Sequence, residues 1–120
     1  MKTNTKNLLM RTFLLLGVLA IATFNSCKED EPAPDPIASF QFEISAENFL
    51  TVNFTNYSQN ATSYSWNFGD GGTSTDQNPS YTYAETGSYE VVLTAYNKDD
   101  VSATFTETIT ISDPNEALKL

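Results

Sequence analysis

Histidine is absent from the 120 residues, and cysteine occurs once, at Cys27. The first absence closes the common Ser-His-Asp triads and most zinc sites. The second excludes an intramolecular disulfide. Basic residues are scarce: six Lys and Arg stand against fifteen Asp and Glu, a net charge of −9. Such a surface repels phosphate backbones, so no nucleic-acid partner is expected. Long apolar runs are missing too. Thr12–Phe24 is about 13 residues long, short of the roughly 20 that a membrane-spanning helix needs.

That apolar run follows Lys2, Lys6 and Arg11. A basic start and a short apolar core read as a secretory signal peptide over residues 1–26, with an uncleaved signal anchor as the alternative. Cys27 closes the segment. A lone thiol in an exported protein is either a chance free cysteine or a modified one. Asn25-Ser26-Cys27 resembles the lipobox of bacterial lipoproteins, in which a small residue precedes the cysteine that becomes the lipidated N-terminus. The resemblance implies acyl chains, palmitate among them, on Cys27. Each buried methylene contributes about 0.8 kcal/mol, and one chain alone holds only marginally; two or three chains anchor for good. Lys28-Glu29-Asp30-Glu31 follows. It reads as a solvated charge run, or by resemblance to Gram-negative lipoproteins as a signal for the outer face of the outer membrane. Removal of the leader leaves three basic residues against fifteen acidic ones, a net charge of −12. Anionic headgroups repel that surface, so the lipid must do the anchoring.

Residues 27–36 form an acidic, proline-rich linker with Pro32, Pro34 and Pro36 at alternate positions. Extended polyproline geometry, at about 3.1 Å per residue, gives it a reach on the order of 30 Å. Residues 37–112 form the domain and residues 113–120 a tail. The tail reads as a frayed end; Asn115–Leu120 also leave open the start of a helix or of a further domain in a longer protein.

The domain alternates apolar and polar residues throughout. The inward sets are Ala38, Phe40, Phe42; Val52, Phe54; Tyr64, Trp66, Phe68; Tyr81, Tyr83; Tyr89, Val91, Leu93, Ala95; and Phe105, Ile109, Ile111. A period of two marks half-buried strands, and the Thr, Val, Tyr and Phe enrichment agrees. About seven short strands with polar turns predict an all-β, immunoglobulin-like antiparallel sandwich. Glu107 falls on the inward face by simple alternation, which suggests a bulge or a position at the open end.

Trp66-Asn67-Phe68-Gly69-Asp70-Gly71-Gly72 is the most informative stretch. Trp66 and Phe68 point into the core. The glycines then permit positive φ, and Asp70 can brace the turn by accepting backbone N–H bonds. Gly87-Ser88-Tyr89 repeats the logic, with Tyr89 placed for a tyrosine corner. At these residues the chain resembles the PKD family of immunoglobulin-like sandwiches. Trp66–Gly71 matches the family hallmark; Phe54–Ser58, Asn78–Tyr83 and Gly87–Asn97 match the flanking strands. The resemblance implies an extracellular spacer, adhesion module or accessory binding domain. It supplies no catalytic residue.

An enzyme is therefore not expected: the acids are spread over turns and strand edges. No cofactor is expected either, although Asp70, Asp76, Asp99 and Asp100 lie in turns and could offer oxygen ligands to calcium. Only the short tail follows the sandwich in this sequence, so the expected role is a monomeric, lipid-anchored binding or adhesion module that contacts a protein or glycan. A scaffold role in a surface complex is the alternative. Tyr57, Val92 and Tyr96 are the candidate contact residues, being apolar or aromatic and predicted to face outward.

Overall fold

The computed structural model describes residues 31–119, and Ala33–Leu120 forms one compact unit. The leader and Cys27 lie outside the described residues. Seven strands build the unit: β1 (Phe40–Ile44), β2 (Thr51–Asn56), β3 (Ser63–Asn67), β4 (Thr73–Ser74), β5 (Ser80–Thr82), β6 (Gly87–Tyr96) and β7 (Ser102–Ile111). They form two antiparallel sheets, ordered β1-β2-β5 and β4-β3-β6-β7. A single 3₁₀ turn, Glu116–Lys119, lies in the tail.

The inner faces carry the alternating apolar residues predicted from the sequence. Phe40, Val52, Phe54, Trp66, Phe68, Tyr83, Val91, Leu93, Ile109 and Ile111 form one buried cluster. Aromatic rings run through it without a break. Phe105 meets Phe40 edge-on at 5.2 Å, and Phe40 and Phe54 lean on Trp66 at 5.1 and 5.3 Å. Phe68 stacks on Tyr81 at 4.0 Å, and Tyr83 stacks on Tyr89 at 4.1 Å. Offset and edge-on pairs of this kind add about 0.5–1.5 kcal/mol each beyond their buried area. The indole N–H of Trp66 donates to the carbonyl of Asp76 at 2.8 Å, so the ring is buried with its polar atom satisfied.

Two strand faces depart from simple alternation. Phe42 is only half-buried and Ile44 is exposed, because β1 is an edge strand that runs out past the core. Glu107 does face inward, beside Val91, and it does so without a bulge: β6 and β7 pair in unbroken register from Gly87↔Ile111 to Tyr96↔Ser102. Its half-exposed carboxylate is tolerated because β7 is also an edge strand.

The strand directions sort the loops into two ends. One end carries the β2–β3 loop and the β6–β7 hairpin. The other carries the β1–β2 and β3–β4 turns and the loop between β5 and β6. The incoming segment is tied to the first end. The Ala33 N–H donates to Asp99 at 2.7 Å, the Asn97 amide donates to the Pro34 carbonyl at 3.1 Å, and the Asn60 amide donates to the Asp35 carbonyl at 3.0 Å. Ile37 and Gln59 exchange both backbone bonds. Ala33–Pro36, part of the linker by composition, is thus hydrogen-bonded to the domain.

Candidate functional site

The glycine-rich turn after β3 is a structural device. Gly69 has φ +86°, and a Cβ there would lie 2.6 Å from the backbone oxygen of Glu90. The turn packs directly onto β6, so only glycine fits. Asp70 accepts the Gly72 N–H at 2.9 Å and the Tyr81 hydroxyl at 2.9 and 2.8 Å from its two oxygens. The Tyr81 hydroxyl lies where a Cβ of Gly72 would stand. Bonding to Asp70 raises the Tyr81 phenol above its ordinary value, with burial adding to the effect. The Tyr83 hydroxyl donates to the buried Phe68 carbonyl at 2.9 Å, and burial pushes that phenol up further. The Tyr89 hydroxyl donates to the Glu85 carbonyl at 2.8 Å, the expected tyrosine corner. Trp66, Phe68, Gly69, Asp70 and Tyr89 accordingly serve the fold, and Gly71 (φ +97°) and Gly87 (φ +156°) hold backbone conformations that favour glycine.

The four aspartates weighed for calcium do not converge. Asp70 follows β3 at one end of the sandwich, while Asp99 and Asp100 lie in the β6–β7 hairpin at the other; Asp76 sits in the loop after β4. Among the described residues no group of three or more Asp, Glu or Cys side chains is placed to hold a metal ion. Asp99 is already engaged, by the Ala33 N–H and by Lys98 at 3.0 Å; these bonds hold its carboxyl below the usual range.

Tyr57, Val92 and Tyr96 do not form one patch. Val92 and Tyr96 are half-buried on the outer face of the four-stranded sheet. Val92 lies between Asn67 and Thr106, and Tyr96 between Ser63 and Ser102. Tyr57 stands on the outer face of the other sheet, across the sandwich. Its parity is the reason: it continues the outward positions Asn53 and Thr55 of β2 by one more step of two.

Tyr57 borders a shallow surface concavity. Gln41, Phe42, Glu43, Asn53, Thr55 and Tyr57 line an open groove of about 390 Å³ on β1 and β2. The register explains the assembly. Gln41 lies opposite Thr55, Glu43 opposite Asn53, and Asn53 opposite Ser80 of β5. The Ser80 hydroxyl donates to the Asn53 carbonyl oxygen at 2.8 Å, which fixes that amide and leaves its NH₂ free to donate. Thr51 and Thr82 share a hydroxyl bond at 2.8 Å one rung on. Tyr57 is 55% exposed, whereas every other aromatic side chain among the described residues is buried or half-buried. The face thus offers two amides, a carboxylate, hydroxyls and one exposed aromatic ring. That set can bond ligand hydroxyls and stack on an apolar ligand face. Sequence reasoning picked out Tyr57 but missed Gln41, Glu43, Asn53 and Thr55. The parity of β1 and β2 marks these four as outward positions, but only the register of the two strands brings them beside Tyr57.

Fold and turn together define an immunoglobulin-like β-sandwich whose signature residues serve folding. The chain belongs to the PKD domain family, whose model matches residues 31–112. It is 36% identical over 81 residues to the pre-pro-metalloprotease PrtV of Vibrio cholerae; the match covers 67% of this chain and 9% of that protein. The chain thus spans about a tenth of the length of this curated relative. Among solved structures, the PKD1 domain of Vibrio anguillarum Epp is 31% identical with a TM-score of 0.62, covering 69% of this chain and 100% of that one. A structure described as the basis for the promiscuous specificity of carbohydrate-binding modules from the β-sandwich superfamily is 29% identical with a TM-score of 0.59, covering 70% of this chain and 37% of that one.

Proposed function

We propose that this chain is a non-catalytic binding module, held at a membrane by lipid on Cys27, that contacts a glycan or a surface protein through the outer face of β1, β2 and β5. The observation that carries the reading is the juxtaposition of exposed Tyr57 with Gln41, Glu43, Asn53 and Thr55 along one open groove of the sheet face. A sugar ring presents an apolar face to an aromatic ring and its hydroxyls to the amides and carboxylate alongside. Glu43 and the acidic surface favour neutral or cationic ligands over polyanionic ones. The similarity to carbohydrate-binding modules supports the glycan arm, and the similarity to a module of a metalloprotease supports an accessory rather than a catalytic part. The absence of histidine from the sequence supports the same point.

Anchorage rests on sequence features alone: the basic start, the short apolar run, Ser26-Cys27 and the acidic tract after Lys28. The tract favours the outer face of the outer membrane. A scaffold role is the second reading, favoured by the openness of the groove, which suits a protein surface as well as a sugar. A glycan array and a crosslinking pull-down from intact cells, each with wild type and Tyr57→Ala, separate the two. Glycan binding that falls with Tyr57→Ala supports the first reading. Protein crosslinks without any glycan signal support the second, and binding in both assays that is indifferent to Tyr57 overturns the site. Metabolic labelling with an alkyne palmitate tests the anchor: label on wild type and none on Cys27→Ser is expected.

A further inference from the structure

β7 is the longest strand edge in the described structure. The sheet edges are β1, β5, β4 and β7. The first three have five, three and two residues, whereas β7 has ten and pairs only with β6. A long edge with unpaired N–H and C=O groups is a template for a further strand. The sequence of β7, Ser-Ala-Thr-Phe-Thr-Glu-Thr-Ile-Thr-Ile, strengthens the hazard. It is rich in β-branched and aromatic residues, and it contains no proline, no lysine and no bulge. The usual devices that blunt an edge are missing, with one exception.

The exception is Glu107. It is the only charge on β7 and lies near the middle of the strand. It faces the core side beside Val91, between the rungs Phe105↔Leu93 and Ile109↔Tyr89. Its outward neighbours Thr106 and Thr108 are exposed, while Glu107 itself is half-buried. Among the described residues it makes no ion pair. At an open edge its carboxylate reaches water.

A second copy that added its own β7 would remove that water. Antiparallel pairing with both cores on one side sets core-facing positions against core-facing positions. Glu107 then meets either Glu107 of the other copy or an apolar position such as Phe105 or Ile109. The first places like charges directly opposite each other. The second buries a carboxylate without a partner. Every in-face register near the middle of the strand meets one penalty or the other.

We infer that Glu107 is the residue that closes the β7 edge to a second copy of this chain and so keeps the module monomeric. The stability it forgoes at a core-facing position is returned as specificity against self-association. The segment Ala33–Leu120 suits the test, because the core and all strand ladders lie within it and the isolated PKD1 domain of Epp has the same fold.

Sedimentation equilibrium on this segment compares wild type with Glu107→Thr and Glu107→Val; threonine keeps a polar, β-forming side chain if valine alone misfolds. Glu90→Thr, on the exposed outer side of β6, removes the same charge without touching the edge. Wild type and Glu90→Thr are expected to sediment as monomers. The Glu107 variants are expected to show a concentration-dependent doubling of mass, with new hydrogen-exchange protection confined to β7 amides. Monomeric Glu107 variants, association without added β7 protection, a Glu90 variant that associates equally, or a wild type already paired through β7 would each overturn the inference.

Discussion

The hydroxyl of Tyr81 is held by the carboxylate of Asp70, at 2.9 and 2.8 Å from its two oxygens, directly over Gly72. This contact closes the β3–β4 turn onto β5 and links two parts of the family signature. Gly72→Ala drives a methyl group into the Tyr81 hydroxyl, and the turn must open or Tyr81 must leave. The expected loss is about 1–3 kcal/mol, as for other overpacked sites. Tyr81→Ala removes the obstacle, so the double variant should lose less than the sum of the two single changes. Urea denaturation of the four proteins measures the coupling; strict additivity would refute the contact.

The same bond sets an alkaline limit. Tyr81 and Tyr83 both have phenols raised above the ordinary value of 10.0. A raised folded value means that the folded state holds the proton more tightly than the unfolded chain. The associated stability is complete below pH 10 and is lost as pH rises through the raised values. Melting temperature should therefore fall above about pH 10. Tyr81→Phe should fall less steeply there, because it has no phenol to ionise at Asp70. Parallel slopes in wild type and variant would contradict this account.

The two positive-φ glycines of the turn should respond differently. Gly71 has φ +97° with open space around a Cβ, whereas Gly69 at φ +86° abuts the Glu90 backbone. Gly71→Ala meets backbone strain alone, roughly 1–3 kcal/mol. Gly69→Ala meets strain and a backbone collision that no side chain can relieve, and should cost roughly 2–5 kcal/mol. Denaturation midpoints that place Gly71→Ala below Gly69→Ala would reverse the argument.

Asn97, only 3% exposed, is the hub of the opposite end. Its carbonyl oxygen accepts the Asp99 and Val101 N–H groups, and its NH₂ donates to Pro34. Asn97→Ala leaves these groups unpaired at an expected cost of about 1–3 kcal/mol. It should also speed hydrogen exchange at Ala33. The Ala33 bond carries its own pH signature. The carboxyl of Asp99 is lowered first by that N–H and then by Lys98. The bond is complete above the ordinary aspartate range and is lost as pH falls through the lowered value. Asp99→Asn should abolish this pH dependence in amide NMR.

The sandwich was legible in the sequence because its core strands alternate cleanly and its turn glycines are punctuated by Asp70. Trp66, Phe68, Val91 and Leu93 fall where period two places them. β4 was not legible: two residues, Thr73 and Ser74, carry no periodic signal and pair only because the turn returns the chain beside Trp66 and Asn67. The half-buried state of Phe42 was hidden as well, since alternation gives a face but not the distance from a sheet edge. Glu107 shows the same gap: its inward direction was readable, while its edge position depends on strand order. The candidate groove is assembled across β1 and β2, with β5 alongside, so only the register brings Gln41, Asn53 and Ser80 together. Lateral pairing of this kind is non-local and leaves no mark at any one position.

The central claim is that the outer face of β1, β2 and β5 is the recognition surface. Amide NMR of isotopically labelled Ala33–Leu120, titrated with the partner or glycan recovered in the pull-down or array, tests it most directly. The account predicts shift changes centred on Gln41, Glu43, Asn53, Thr55, Tyr57 and Ser80, lost in Tyr57→Ala while the remaining spectrum stays native. Changes centred instead on Val92, Tyr96 and the threonines of β7, with the Tyr57 face silent, would contradict it.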